Sequence, residues 1–325
     1  MAPSAHSNPF DVTSLGEIMV RLSVPNGERL DDTERLDVEI GGAEGNLSIA
    51  LARLGRRVSW LSSLPANPLG EYVLRTLRAD GVDVSGVRRT PSGRMGLYFI
   101  EYATAPRSIT VTYDRADSAA ARMTSADVDW DILLNSRIIH LTGITPALSP
   151  SCLEVTRESF RRAVAQNVPI SFDVNFRGKL WSAKAAAASL RPFVEGAQVL
   201  FCKSADAELL FGCTGSPEER LRKLSKLTGA ASIFLTCGEA GAGLLERGEF
   251  HWQPAVPAAV VDRIGSGDAF AAGALHGLLD GDPRLGLQRG AALASIALSQ
   301  HGDRVLTSPQ ELDSVIARGG SDVSR

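Results

Sequence analysis

The chain has 325 residues, of which 44% are hydrophobic and 22% are charged, and its formal net charge is -3 at pH 7. This length and composition predict a globular α/β domain with a large core, and the small net charge gives no reason to expect nucleic-acid or membrane binding. The four cysteines form no metal-binding or disulfide pattern, and we recognise no leader or bilayer-spanning segment, so we expect a cytoplasmic protein.

Short apolar segments alternate with segments of helical periodicity along most of the chain. Helices are predicted over residues 43–54, 69–79, 152–166, 183–193, 217–227 and 268–279, and strands over 58–64, 137–142, 170–174, 199–202, 232–236 and 256–261. Such alternation predicts βαβ units and a mostly parallel sheet flanked by helices. We place this domain at residues 11–318.

Two segments, 17–40 and 94–115, lack helical patterning. Residues 97–102 and 108–113 instead have the composition of a β-hairpin joined by residues 103–107. We therefore expect both segments to form a small β-sheet that covers the core as a lid.

A glycine turn lies between the predicted strand at 256–261 and the helix at 268–279. Gly265 and Gly267 allow backbone N–H groups to approach a ligand closely, and the helix N-terminus favours an anion. Asp268 on this turn could accept a proton from a hydroxyl that attacks a bound phosphate. An ordinary capping aspartate after a glycine turn is the alternative interpretation.

Other polar clusters follow predicted strands, where open parallel sheets bind ligands. They are residues 41–46 (GGAEGN), the Asn175-Phe176-Arg177 segment, and the glycine-rich turn over 236–243. Each cluster alone also fits an ordinary turn or a solvated charge.

Taken in order, these motifs resemble the ribokinase-like, or phosphofructokinase-B type, carbohydrate kinases over about residues 15–312. Six blocks are similar to the 2-keto-3-deoxygluconate kinase branch of that family: residues 41–46, 96–98 (GLY), 113–119 (YDRADSA), 140–148 (HLTGITPAL), 173–177 (DVNFR) with 180–182 (LWS), and 302–303 (GD). The resemblance implies a ribokinase-like three-layer core with a mostly parallel sheet, flanking helices and a small β-sheet lid.

It also implies ATP-dependent phosphorylation of the sugar acid's terminal hydroxyl to the 6-phosphate, with Mg²⁺ arriving on ATP. Asp268 would be the general base, and the backbone N–H groups of Gly265, Ser266 and Gly267 would stabilise the transferred phosphoryl group. The implied substrate-binding residues are Gly42, Asn46, Tyr98, Tyr113, Arg115, Arg177, Asp268 and Asp303. The implied nucleotide-binding residues are Asn175, Arg177, Thr236, Gly238, Gly241, Gly265 and Gly267. Asp206 would act indirectly on the metal, and the lid would join two copies in a homodimer or higher oligomer.

The two arginines suggest the substrate, because planar guanidinium groups pair with the carboxylate of a sugar acid. A neutral-sugar kinase such as a fructokinase is the alternative, in which Arg115 and Arg177 would pair with protein carboxylates. A non-catalytic protein that binds a sugar acid or a nucleotide is a further alternative.

Several positions depart from the family's pattern. An Asn-x-x-Glu element appears as Lys203-Ser204-Ala205-Asp206, and Arg263 and Ile264 replace two threonines before the glycine turn. Glu17 stands where related hexose and pentose kinases often carry an aspartate. The change at residues 203–206 bears on how the metal is handled, and Arg263 and Ile264 argue against activation by a monovalent cation. Glu17 is expected to reflect a different substrate.

Overall fold

The computed structural model describes residues 10–103 and 106–318. The strands are β1 Phe10–Leu15, β2 Met19–Ser23, β3 Asp37–Gly41, β4 Val58–Leu61, β5 Ser63–Pro65, β6 Arg88–Thr90, β7 Leu97–Glu101, β8 Thr110–Asp114, β9 Ser136–Thr142, β10 Ile170–Asp173, β11 Val199–Lys203, β12 Ser232–Thr236, β13 Gly241–Glu246 and β14 Glu249–Pro254. The helices are α1 Ala43–Arg53, α2 Pro68–Ala79, α3 Trp130–Leu134, α4 Thr145–Leu148, α5 Pro150–Gln166, α6 Ala183–Gly196, α7 Ser204–Phe211, α8 Pro217–Leu224, α9 Ser266–Leu279, α10 Pro283–Leu298 and α11 Pro309–Arg318, with short 3-10 turns at Ser125–Asp127 and Gly238–Ala240.

The main sheet has eight strands in the order β14-β13-β12-β11-β10-β9-β1-β4. Its strands from β12 to β4 are parallel, and β13 and β14 add an antiparallel hairpin at one edge. The predicted mostly parallel sheet with flanking helices is therefore confirmed. Because the parallel strands all end at one edge, Thr142, Asp173, Lys203 and Thr236 lie near one another there.

Helices pack on both faces of this sheet. On one face, Phe160 of α5 and Phe193 of α6 contact Phe172 of β10, with ring centroids 5.9 and 5.6 Å from that of Phe172. On the other face, α1, α9 and α10 cover a second core in which Phe270 of α9 packs edge-on against Phe234 at 6.2 Å. These contacts fix the N-terminus of α9 at the edge where the parallel strands end.

A separate four-stranded sheet has the order β3-β2-β7-β8. Its strands come from the two segments predicted to form a small sheet, and the β7–β8 pair is the predicted hairpin, with Leu97 opposite Asp114. Residues 104 and 105 of the predicted connection lie outside the described residues. The division of the chain into a domain over 11–318 with these segments as its lid stays a prediction.

The prediction of a strand over 256–261 was wrong. Pro257 removes a backbone N–H from this apolar run, and Val260 and Val261 are 49% and 40% exposed, so the segment does not join the sheet. The sheet continues instead through the β13–β14 hairpin, and the glycine-rich turn over 236–243 leads into β13. No described helix is both long enough and apolar enough to cross a bilayer.

Candidate active site

A cavity of about 1300 Å³ lies between the ends of the parallel strands, the N-terminus of α9 and the four-stranded sheet. All of the predicted site residues except Asp206 line it: Gly42, Asn46, Tyr98, Tyr113, Arg115, Asn175, Arg177, Thr236, Gly238, Gly241, Gly265, Ser266, Gly267, Asp268 and Asp303. Folding thus brings together segments that are up to 261 positions apart, between Gly42 and Asp303.

The turn before α9 has the geometry of an anion site. Gly265 adopts a φ of 82° at the N-cap position, and an added Cβ would lie 2.5 Å from the backbone oxygen of Asp303, so only glycine fits there. In the first backbone hydrogen bond of the helix, the Ala269 N–H donates to the Gly265 carbonyl oxygen at 2.9 Å. The N–H groups of residues 266–268 therefore have no acceptor inside the helix and form the positive end of its dipole.

Asp268 lies in the first turn of α9 and is 8% exposed. Asn46 Nδ2 donates a hydrogen bond to Asp268 Oδ2 at 2.8 Å, and the Gly42 N–H donates to Asn46 Oδ1 at 3.2 Å. Burial raises the pKa of Asp268 above its ordinary value, while the Asn46 hydrogen bond and the charge of Arg177 partly oppose this rise. A carboxylate more basic than an exposed aspartate suits proton abstraction.

Two further carboxyl groups near Asp268, those of Asp173 and Glu44, also have raised pKa values. Burial raises the pKa of Asp173, at the end of β10, to about 7. Burial also raises the pKa of Glu44 to about 6, although the Thr142 and Thr145 hydroxyls each donate to its Oε1 at 2.8 Å. Within the described residues, no group of three or more His, Cys, Asp or Glu side chains could hold a metal ion.

Asp206 differs from the other predicted site residues because it does not line the cavity. It is 8% exposed on α7, and burial raises its pKa. Its Oδ2 accepts no hydrogen bond from the described part of the chain. Lys203, three residues earlier, lines the cavity and is exposed.

The two arginines singled out from the sequence differ in their pairing. Arg115 Nε donates to Glu17 Oε2 at 2.8 Å and Arg115 Nη2 donates to the same oxygen, while the Ser118 hydroxyl donates to Glu17 Oε1. The charge of Arg115 is thus matched by a carboxylate that is 1% exposed. Arg177 is half-buried and forms no ion pair with any carboxylate in residues 10–103 and 106–318.

The four-stranded sheet contributes two aromatic side chains to the cavity. Tyr98 and Tyr113 stack with ring centroids 5.9 Å apart, and the Arg115 guanidinium lies 5.6 Å from the Tyr113 ring centroid. Lys179 donates to the Val111 carbonyl at 2.6 Å, which ties the segment after β10 to β8. This sheet therefore closes one side of the cavity.

Sequence reasoning missed a buried polar network beside the turn. Arg21 of β2 is 0% exposed and pairs with both Asp262 and Asp303. The only signal in the sequence was a charged residue inside an otherwise apolar strand, which gives no partner.

The model of the pfkB family of carbohydrate kinases matches residues 10–310. The chain belongs to this family. Membership confirms the resemblance found in the sequence. The chain is therefore a carbohydrate kinase, and this favours an enzyme over a non-catalytic binding protein.

Similar proteins include pfkB kinases with full-length matches. The 2-dehydro-3-deoxygalactonokinase of Haloferax volcanii is 36% identical, covering 97% of this chain and 99% of that one. The 2-dehydro-3-deoxygluconokinase of Thermoproteus tenax is 31% identical, covering 94% of each. The crystal structure of 2-dehydro-3-deoxygluconokinase from Thermotoga maritima has a TM-score of 0.90 and 30% identity, covering 94% of this chain and 99% of that one.

Proposed function

We propose that this kinase transfers the γ-phosphoryl group of ATP to the 6-hydroxyl of 2-keto-3-deoxygluconate, also called 2-dehydro-3-deoxygluconate. The observation that carries the proposal is the position of Asp268. Its buried carboxylate adjoins the N–H groups of residues 266–268, which have no acceptor inside the helix. Arg177 lines the same cavity and forms no ion pair within the described part of the chain. The names of the relatives from Haloferax volcanii and Thermoproteus tenax support a 2-dehydro-3-deoxy sugar acid as substrate.

The reaction needs one proton transfer and one displacement. The Asp268 carboxylate accepts the proton of the 6-hydroxyl as that oxygen forms its bond to the γ-phosphorus. The bond between the γ-phosphorus and the bridging oxygen breaks, and ADP leaves with that oxygen. The N–H groups of residues 265–268 donate to the negative oxygens of the transferring group, so the turn acts as its anion hole.

MgATP enters as a substrate, and Mg²⁺ keeps most of its water ligands. We place the nucleotide along Asn175 and the turn from Thr236 to Gly241, which line the cavity. Lys203 supplies positive charge to the phosphates. Asp206 stays a candidate for an indirect metal contact because its Oδ2 is buried and accepts no hydrogen bond within the described residues.

The protein would bind the sugar acid through one charged contact to its carboxylate and through hydrogen bonds to its hydroxyl groups. Arg177 pairs with the substrate carboxylate, because its charge has no partner in the described protein. Arg115 contributes donors but little net charge, since it is bound to Glu17. The remaining predicted contacts of the sugar are with Gly42, Asn46, Tyr98, Tyr113 and Asp303. A homodimer through the four-stranded sheet and a cytoplasmic location stay predictions.

A second candidate substrate is the C4 epimer, 2-keto-3-deoxygalactonate. It is favoured by the relative from Haloferax volcanii, which is 36% identical to this chain. A neutral sugar such as fructose is the third possibility, and the Arg115–Glu17 pair is the observation that favours it.

A coupled ADP-release assay with four acceptors tests the proposal. The two epimeric 2-keto-3-deoxy sugar acids are compared with fructose and ribose at equal MgATP. We expect kcat/KM for one or both acids to exceed that for fructose by at least about 100-fold, because a charge-assisted pair distinguishes them. Equal turnover of fructose or ribose overturns the substrate assignment, and the ratio between the acids decides between the epimers.

A further inference from the structure

Arg21 is the only arginine in the described residues that is completely buried, and the sequence patterns assign it no role. It lies on β2 of the four-stranded sheet, where Arg21 Nε donates to the Ser23 hydroxyl at 2.9 Å. Its two terminal nitrogens donate to Asp262 and Asp303 in the loops beside the turn before α9, and Nη2 also donates to the Tyr102 hydroxyl. A buried guanidinium is costly unless its donors are matched, so its partners show what it holds.

The carboxylates nearest to its terminal nitrogens come from two different loops, and a third, Glu39 of β3, lies 3.6 Å from Arg21 Nε. Arg21 Nη2 donates to Asp262 Oδ2 at 2.5 Å, and Arg21 Nη1 donates to Asp303 Oδ1. Tyr102, which follows β7, adds a hydrogen bond from its hydroxyl to Asp262 Oδ2 at 2.7 Å. Two residues of the four-stranded sheet region therefore bind one loop carboxylate together.

Asp262 in turn fixes the backbone on both sides of the site. Its Oδ1 accepts the Ile264 N–H at 3.0 Å, immediately before Gly265, and its Oδ2 accepts the Gly302 N–H at 3.3 Å. Asp303 contacts the same turn, because its backbone oxygen lies against Gly265. Asn46 Nδ2, which binds Asp268, is also 3.4 Å from Asp303 Oδ2.

We propose that Arg21 is a positioning residue for phosphoryl transfer. Through Asp262 and Asp303 it holds the turn that presents Asp268 and the anion hole, and it couples this turn to the sheet that carries Tyr98 and Tyr113. Arg21 does not touch the substrate. The inference rests on the proposed function, because its first test measures kcat and KM of the proposed reaction.

Arg21→Lys tests this role, because lysine keeps the charge but cannot bridge two carboxylates with a rigid fork. We expect kcat with the sugar acid to fall about 100-fold, the effect typical of a misplaced reacting group, and KM for the sugar acid to rise while KM for ATP stays within about threefold. The matched control is Arg56→Lys. Arg56 is 15% exposed and pairs with Asp280 at 2.5 Å beyond the far end of α9, about 20 Å from the turn, so its loss costs an ion pair without moving the site.

A second measurement separates this inference from the proposed substrate. In hydrogen exchange of the full-length protein, the Ile264 and Gly302 amides should exchange about tenfold faster in Arg21→Lys than in wild type, and at the wild-type rate in Arg56→Lys. Tyr102→Phe removes one hydrogen bond to Asp262 and should accelerate exchange of the same two amides, but by less.

If wild type phosphorylates none of the four acceptors, the proposed function fails, and the exchange data alone decide on Arg21. If kcat and both amides change no more in Arg21→Lys than in Arg56→Lys, Arg21 only stabilises the fold and the inference is wrong.

Discussion

Replacement of Asp268 by asparagine removes the proposed base with almost no change of size. The Asn46 amide can still donate to the new side-chain oxygen at the position of the present 2.8 Å bond, so the turn should keep its geometry. Position-specific general-base catalysis contributes about 100-fold to 10,000-fold. Because Asp268 is buried and its pKa is raised, water cannot replace it easily, and we expect a loss of kcat near the upper end of that range.

The assay measures kcat and both KM values of Asp268→Asn by coupled ADP release, together with ATP affinity by calorimetry. The control is Asp11→Asn, which neutralises another buried carboxylate that lies at the start of β1 and does not line the cavity. We also expect the wild-type kcat to fall as the pH drops through the raised pKa of Asp268, because the base must be ionised. A kcat within tenfold of wild type, with ATP affinity unchanged, would refute the role of Asp268.

Three further substitutions test other parts of the site. Arg177→Ala should raise KM for the sugar acid about 10-fold to 100-fold, and more than it raises KM for ATP, in the same assay. Arg115→Ala leaves the buried Glu17 carboxylate without its cation and should lower the free energy of unfolding in urea by about 3 kcal/mol, against less than about 1 kcal/mol for Arg94→Ala at an exposed pair. Asp173→Asn should stabilise the protein by about 4 kcal/mol at pH 8 and by less than about 1 kcal/mol at pH 4. The reason is that Asp173 has a folded-state pKa of about 7 against an ordinary 3.8, so its ionisation destabilises the folded protein as the pH rises. Equal differences at both pH values would contradict this.

Local patterns in the sequence were sufficient for most of the main elements. The helix over Ala43–Arg53 and the strand over Ser232–Thr236 follow from periodicity within a few residues. The turn at Gly265 is equally local, since it needs only glycine and a following helix. The apolar run over 256–261 misled the same reasoning, because hydrophobicity alone does not supply a neighbouring strand to pair with.

Pairings between distant residues could not be predicted in this way. Arg21 and Asp303 are 282 positions apart, and Arg115 and Glu17 are 98 apart. The sequence identified Arg115 as a cation for the substrate, but its bond to Glu17 appears only when β2, β7 and β8 are folded together. Such partners decide how much charge an arginine can offer a ligand.

The position of the phosphate in the product tests the central claim most directly. The purified enzyme is incubated with MgATP and 2-keto-3-deoxygluconate, or its C4 epimer, and the product is examined by phosphorus–proton correlation NMR. The account predicts a single sugar phosphate in which phosphorus couples to the two protons on C6, formed together with one ADP. Phosphorus on any other carbon, or free phosphate as the sole product, would contradict it.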